Sequence, residues 1–204
     1  LHARGGVATN DHIEFAGIDG DMHVLDIGCG VGGASRVIAA TCGCRVTGID
    51  LTPEYIDIAR DLTGRCGLSD KVDYQQANAT ELSFDDETFD HVWCHNVTMN
   101  IEDKAAFADE VSRVLVSGGR FSCAELGLGP AGEPSFPLPW ARDASSSFLV
   151  TPDDMCAALE GGGLRVIQQL DLNDINMAFR KEMQDRAARG DAPAVASYVA
   201  MGDD

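Results

Sequence analysis

Short apolar runs alternate with longer amphipathic stretches along most of the chain. A short run that ends in a polar residue or glycine predicts a buried strand, and apolar positions recurring every three or four residues predict a helix. Predicted strands cover 22–27, 45–50, 72–77, 89–95, 120–126 and 164–170. Predicted helices cover 34–40, 54–66, 103–115, 152–160 and 174–189, with a first helix capped by Thr9 or Asn10 and a last one from 194 to 201. This alternation predicts an α/β fold with a doubly wound, mostly parallel sheet.

Residues 127–149 break the alternation, with four prolines, three glycines and the aromatic residues Phe136, Trp140 and Phe148. A connection of this length inside a compact domain is usually functional or disordered, and its aromatic residues favour a folded lid over a pocket. We expect residues 1–204 to form one domain, with an N-terminal cap segment over 1–20, a lid insertion over 127–150 and C-terminal helices over 174–204.

The turn after the first predicted strand is rich in glycine and is led by an acid, as Asp26-Ile-Gly28-Cys29-Gly30-Val-Gly32-Gly33. Glycines between a strand and a helix let the backbone approach a ligand closely, and the helix N-terminus adds free N–H groups. Two templates fit. Gly28-x-Gly30-x-x-Gly33 matches the fingerprint of dinucleotide sites. Asp26-x-Gly28-x-Gly30-x-Gly32 matches S-adenosylmethionine sites, and a carboxylate there suits a cationic amino-acid group better than a pyrophosphate.

Ligands of open parallel sheets lie across the carboxyl ends of the strands, so the residues at those ends carry the site hypothesis. Asp50 can accept bonds from both ribose hydroxyls, and Leu51 can pack on an adenine. Asn78, followed by Ala79, can read the adenine edge with its amide. His95 ends the fourth strand and is the candidate general base, because its ordinary pKa lies near neutral.

Together with Gly48-Ile-Asp50-Leu51, Asn78-Ala79 and the stretch 110–119, the glycine turn resembles class I S-adenosylmethionine-dependent methyltransferases of the small-molecule "type 11" group. The resemblance covers about residues 1–170 and implies a Rossmann-like fold, with S-adenosylmethionine as methyl donor and S-adenosylhomocysteine as product. It implies cofactor binding by Asp26, Gly28, Cys29, Gly30, Gly32, Asp50, Leu51, Asn78, Ala79 and His95. Asn78 departs from the family, which often has Asp there.

The opening His2-Ala-Arg4-Gly-Gly segment is similar to sarcosine/dimethylglycine and phosphoethanolamine N-methyltransferases, which favours an amine acceptor. Arg4 could hold a substrate carboxylate or phosphate. An aromatic and thioether wall could surround a methylated ammonium. The candidate substrate residues are His2, Arg4, Met99, Phe136 and Trp140. Because His95 to Asn100 does not match those enzymes, a carbon or oxygen acceptor of quinone or polyketide type stays open.

Two further classes remain as alternatives: a non-catalytic S-adenosylmethionine-binding domain, and a nicotinamide oxidoreductase, for which Tyr55 and Tyr74 are badly placed. The resemblance also implies a seventh strand that pairs with the sixth. Only helical patterns follow residue 170, and the chain begins with Leu1. We therefore expect the natural protein to extend beyond both ends.

The composition of the chain limits the classes of molecule that the protein is expected to bind. The 33 acidic and 15 basic residues give a net charge of −18, which disfavours nucleic acids and anionic membranes. No apolar run approaches the roughly 20 residues of a membrane span. Seven scattered cysteines predict free thiols in a reducing cytoplasm, and no set of metal ligands is evident. The expected partner is a small methyl acceptor, and a homodimer stays open.

Overall fold

Five parallel strands form a single sheet in the order β3-β2-β1-β4-β5 in the computed structural model, which describes residues 4–191. The strands are β1 (His23–Ile27), β2 (Arg45–Asp50), β3 (Val72–Gln76), β4 (Phe89–His95) and β5 (Leu115–Ala124). The helices are α1 (Gly6–Ala16), α2 (Gly33–Cys42), α3 (Pro53–Arg65), α4 (Lys104–Val114), α5 (Pro152–Gly161) and α6 (Asn173–Ala188). The predicted doubly wound α/β fold is confirmed.

The centre of the sheet positions the site. β1 pairs with β2 on one side and with β4 on the other, so the direction of winding reverses at the β1–β4 boundary. In sheets of this kind a crevice opens at that reversal, outside the carboxyl ends of the strands. The register aligns Asp26 with Gly48 of β2 and with Trp93 of β4.

Helices cover both faces of the sheet, and each face has its own apolar cluster. Alternate residues of β1 serve different clusters: Leu25 and Ile27 pack with Phe89 and Phe107, whereas Val24 packs with Trp93 on the other face. This burial on both faces explains why β1 has apolar residues at the successive positions Val24 and Leu25 rather than only at alternate ones. Among residues 4–191, no helix combines the length and the apolar composition needed to cross a bilayer.

The prediction of a sixth strand over 164–170 is wrong. The segment is irregular, and Ile167 and Leu170 are 70% and 55% exposed. Alternating apolar residues form a strand only where a neighbouring strand completes the hydrogen bonds. Within the described part of the chain, β5 pairs with β4 and with no second strand.

Three predicted boundaries also need correction. α1 begins at Gly6, and Thr9 is buried within the helix rather than capping it. α4 ends at Val114, so Gly118 and Gly119 lie inside β5, next to an irregularity in its pairing with β4. The helix predicted over 194–201 lies outside the described residues. The segment 127–150 is irregular apart from one 3-10 turn at Ala144–Ser146 and an isolated antiparallel bridge between Leu138 and Ala141.

Candidate active site at the carboxyl edge of the sheet

Three glycines of the β1–α2 turn have left-handed backbone, with φ values of 68° at Gly28, 54° at Gly30 and 74° at Gly32. An added Cβ at Gly28 would lie 2.4 Å from Val97 Cγ2, and one at Gly32 would lie 2.3 Å from the Tyr74 hydroxyl oxygen. At Gly30 it would meet nothing within 4 Å. Packing therefore requires two of these glycines, while Gly30 faces open space and can approach a ligand.

The environment of Gly33 distinguishes between the dinucleotide motif and the S-adenosylmethionine motif that both fit the turn. In the dinucleotide fingerprint the third glycine allows close packing of the helix on the strand. Here an added Cβ on Gly33 would have no neighbour within 4 Å, and the backbone of Gly33 is ordinary helix. Gly32, which only the template Asp26-x-Gly28-x-Gly30-x-Gly32 requires, has left-handed backbone and no room for a Cβ beside Tyr74.

Asp50 fastens the turn to the end of β2. Its two carboxylate oxygens accept one hydrogen bond each, from the Gly30 N–H and the Thr52 N–H, both at 2.9 Å. A carboxylate can accept about four bonds, so capacity remains for the hydroxyls of a ligand. The adjacent Leu51 is 65% exposed, as an apolar surface for a flat ring would be.

Cys29 supports the turn through its backbone and its packing. Its N–H donates to the Ile49 carbonyl at 2.9 Å, and its side chain joins the buried cluster on the α2 face. Burial raises the pKa of the Cys29 thiol far above its ordinary value, which keeps the sulfur neutral. Any contact that Cys29 offers a ligand would come from its backbone.

Asp26 lies beside the turn and is only 2% exposed. The Ser35 hydroxyl, in the first turns of α2, donates to its carboxylate at 2.5 Å. Burial raises the pKa of Asp26 to about 7; the Ser35 bond opposes this shift, and the charge of Asp50 adds to it. The acid that leads the motif thus links β1 to α2, and its direct contact with a cofactor stays a prediction.

We expect Asp26→Asn to stabilise the free protein at pH 8 and to have little effect at pH 4. The folded state holds the Asp26 proton more tightly than the unfolded chain, where the pKa is about 3.9. The stability from this group is therefore fully present below about pH 4 and is lost as the pH rises through about 7. Asparagine does not ionise and can still accept from Ser35. Urea unfolding should show a gain on the order of one to a few kcal/mol at pH 8.

The surface variant Asp57→Asn is the control for that experiment, because Asp57 lies exposed on α3. An Asp26→Asn variant with the same free energy of unfolding as the wild type at both pH values would contradict the expectation.

The end of β3 supplies Asn78 and Ala79. The Asn78 side-chain oxygen accepts bonds from the Thr80 N–H at 3.1 Å and the Thr80 hydroxyl at 3.0 Å, while Ala79 is buried against the core. The Asn78 oxygen thus shapes its own turn, and a role in reading an adenine edge stays a prediction.

His95, half-buried at the end of β4, has a neighbour that the sequence interpretation missed. His12 of α1 stacks on Trp93 with ring centroids 3.6 Å apart, and its ring meets His95 edge-on at 5.6 Å. The N-terminal helix therefore packs directly on the candidate base. His91 has a different environment, because its Nε2 lies 2.8 Å from the Ser122 hydroxyl and burial lowers its pKa to about 4.

Glu125 is a second residue that the sequence interpretation missed. It is the first residue after β5, and its carboxylate accepts bonds from the backbone of the loop that follows β4. Its place in the sequence could have indicated it as a site residue, since the first residue beyond a parallel strand lies at the ligand edge of the sheet.

The candidate substrate residues are only partly brought together. Met99 is buried in the loop after β4, and its carbonyl accepts from the Phe148 N–H at 2.8 Å. Trp140 bonds within the 127–150 segment, its indole N–H donating to the Ser147 hydroxyl at 3.2 Å. Phe136 is half-buried in the same segment. Arg4 forms an ion pair with Asp11, and His2 lies outside the described residues.

The reversal of winding beside β1, the acid-led glycine turn and the acid at the end of β2 are the features that the resemblance to class I S-adenosylmethionine-dependent methyltransferases implied. The turn fits that cofactor because Gly30 leaves open space where a Cβ would stand, next to Asp50 and the exposed Leu51.

Residues 25–123 match the family model described as "Methyltransferase domain". Tocopherol O-methyltransferase of Arabidopsis thaliana is 36% identical over 116 residues, 54% of this chain and 33% of that protein. The 2-methyl-6-phytyl-1,4-hydroquinone methyltransferase of Synechocystis is 43% identical over 96 residues, 47% of this chain and 29% of that protein. The matches thus span about a third of these curated relatives.

The fold is shared with the geranyl diphosphate C-methyltransferase of Streptomyces coelicolor, solved with Mg²⁺, geranyl diphosphate and S-adenosyl-L-homocysteine. The TM-score is 0.78 at 21% identity, covering 94% of this chain and 71% of that one. The Rossmann-like architecture that the resemblance implied is confirmed.

Proposed function

We propose that the protein transfers a methyl group from S-adenosylmethionine to a small-molecule acceptor. The observation that carries the proposal is the open face of Gly30 beside the carboxylate of Asp50, 2.9 Å from its N–H. The cofactor supplies a methyl group activated by a sulfonium. The backbone of the turn would hold its amino-acid part, Asp50 the ribose, and Leu51, Asn78 and Ala79 the adenine.

The chain's own residues would align the acceptor and exclude water. Orientation of two reactants contributes about 7–11 kcal/mol to such displacements, so little other catalysis is needed for an unprotonated amine. A hydroxyl or carbon acceptor must also lose a proton, and a positioned base contributes about 10²–10⁴-fold. His95, at the end of β4, is the residue that we propose as this base.

We favour a hydroxyl or carbon acceptor of the phenol or hydroquinone kind. The names of the two curated relatives, a tocopherol and a hydroquinone methyltransferase, support this class. The ion pair of Arg4 with Asp11 weakens the case for a substrate carboxylate or phosphate at Arg4. An amine is the second candidate, supported by Trp140 and Phe136 in the lid, because aromatic rings attract methylated ammonium groups.

Release of S-adenosylhomocysteine across an acceptor panel tests the proposal. The panel contains hydroquinones with and without a prenyl tail, a tocopherol-type phenol, sarcosine, dimethylglycine and phosphoethanolamine. We expect release with a hydroquinone or phenol. Release with an amine alone would make the amine the acceptor, and cofactor binding without any release would support a non-catalytic binding domain.

A His95→Asn variant in the same assay separates the acceptor classes. With a hydroxyl or carbon acceptor we expect kcat to fall by about 10²–10⁴-fold, because no base takes the proton. With an amine supplied above its own pKa, the fall should be small. If the variant methylates a hydroquinone with the kcat of the wild type, His95 is not the base. Location in the cytoplasm and assembly as a homodimer stay predictions from the sequence.

A further inference from the structure

The carboxylate of Glu125 accepts from three donors of the loop between β4 and α4 and from the thiol of Cys94 near the end of β4. One oxygen accepts from the Val97 N–H at 3.0 Å, the Thr98 N–H at 3.0 Å and the Thr98 hydroxyl at 2.9 Å. The other lies 3.2 Å from the Cys94 sulfur and 3.2 Å from the Val97 nitrogen. Together with the bond from the Asn96 N–H to the Ala124 carbonyl, these bonds connect the end of β5 to the loop.

The loop starts with a residue in left-handed backbone, and its first donors lead to the end of β5. Asn96 has a φ of 57°, in the left-handed region that residues other than glycine rarely adopt. Its N–H donates to the Ala124 carbonyl at 3.0 Å, and the next two N–H groups both donate to Glu125. Conformations of this kind persist only where the surroundings hold them.

The same loop contacts both the glycine turn and the end of the lid. The Val97 side chain lies against Gly28, where an added Cβ would be 2.4 Å from it. The Met99 carbonyl accepts from the Phe148 N–H at 2.8 Å, and the Lys104 ammonium donates to the Phe148 carbonyl at 2.8 Å. A shift of the loop would therefore move the cofactor side and the lid side together.

We propose that Glu125 is a positioning residue for methyl transfer: by holding Val97 and Thr98, it fixes the loop between the glycine turn and the lid at one distance. The inference rests on the proposed function. Glu125 acts through Val97, Thr98 and the lid rather than on the reacting atoms. Burial raises the pKa of Glu125, and its bonds with Cys94, Thr98 and Val97 oppose that shift.

Three variants of Glu125 test the proposal. In Glu125→Ala the Val97 and Thr98 N–H groups lose their acceptor, and we expect kcat to fall by about 10²-fold, as small misplacements of reacting groups do. In Glu125→Gln the amide oxygen can keep the three bonds to Val97 and Thr98, so kcat should recover to within about fivefold of the wild type. Glu125→Asp, shorter by one methylene, should fall between them.

Hydrogen exchange gives a readout that does not depend on turnover. The amides of Val97 and Thr98 should exchange faster in Glu125→Ala and near the wild-type rate in Glu125→Gln. The matched control is Glu110→Ala, because Glu110 also accepts a backbone bond, from the Leu82 N–H, and pairs with Arg113 away from the loop. It should lower the melting temperature without changing exchange at Val97 and Thr98 or the kcat.

The positioning role is overturned if Glu125→Ala keeps the wild-type kcat and KM while the wild type is active, or if exchange at Val97 and Thr98 is unchanged. It is also overturned if Glu125→Gln is as impaired as Glu125→Ala. If the wild type releases no S-adenosylhomocysteine with any acceptor, the proposed function fails and this role fails with it. The first three results leave the methyltransferase proposal standing, so the two failures are distinguishable.

Discussion

Gly30→Ala is expected to weaken S-adenosylmethionine binding strongly while leaving most of the stability of the fold. The added methyl group would meet no protein atom within 4 Å, so its cost to the fold is the left-handed backbone, about 1–2 kcal/mol. The same methyl group would stand in the open space where we place the cofactor. Calorimetric titration should show a Kd raised by about 100-fold or more, equivalent to about 2.8 kcal/mol.

Two neighbouring glycines make that experiment specific. Gly33→Ala adds a methyl group in ordinary helical backbone with no neighbour within 4 Å, so stability and affinity should both stay near those of the wild type. Gly28→Ala would place its Cβ 2.4 Å from Val97, and overpacking of this kind typically costs about 1–3 kcal/mol beyond the backbone strain. Unchanged affinity in Gly30→Ala would remove the turn from the cofactor site.

Asp50→Ala is expected to weaken S-adenosylmethionine binding by about two orders of magnitude, through two effects. The change removes the proposed acceptor for the ribose hydroxyls, and bonds to a charged group are worth about 1.5–3 kcal/mol. It also leaves the Gly30 and Thr52 N–H groups without the carboxylate that holds the turn. Asp57→Ala, an exposed acid on α3, is the matched control and should bind normally.

A modified ligand separates the two effects of Asp50. We expect 2′-deoxy S-adenosylhomocysteine to bind the wild type less tightly than S-adenosylhomocysteine does, and Asp50→Ala to bind the two ligands almost equally. Such a cycle isolates the pairwise interaction between the carboxylate and the hydroxyl. If the variant and the wild type lose the same affinity with the deoxy ligand, Asp50 does not contact the 2′-hydroxyl of the ribose.

The central sheet could be predicted from the sequence because its strands are buried on both faces and end in polar residues. β1 and β2 end beside Asp26 and Asp50, and β4 ends at His95, where the patterns indicated. The edge of the sheet could not be predicted in this way. Apolar and polar residues alternate along the segment 164–170, as they do in a strand. This pattern indicates which side chains avoid water, but a strand also needs a neighbouring strand to pair with.

Contacts between elements that lie far apart in the sequence could not be predicted from it either. Glu125 and Val97 are 28 residues apart, and no motif joins them. His12 of α1 packs on Trp93 of β4, a pairing that depends on how the helix crosses the sheet. The glycine turn was predictable because its residues are contiguous and their conformations are almost exclusive to glycine. The space around each glycine could be learned only from the structure: a Cβ would have room at Gly30 but would collide with Val97 at Gly28.

The ends of the 127–150 segment meet, because the Leu128 N–H donates to the Val150 carbonyl at 2.9 Å. A loop whose two ends are joined in this way can change in length without changing where its ends lie. Doubling its length would add only about 0.6 kcal/mol of closure entropy, a small cost beside the stability of the sheet that carries it. The segment between Leu128 and Val150 can therefore change in length at small cost to the fold, whereas a change at Phe148 would also reach the loop after β4 that borders Gly28.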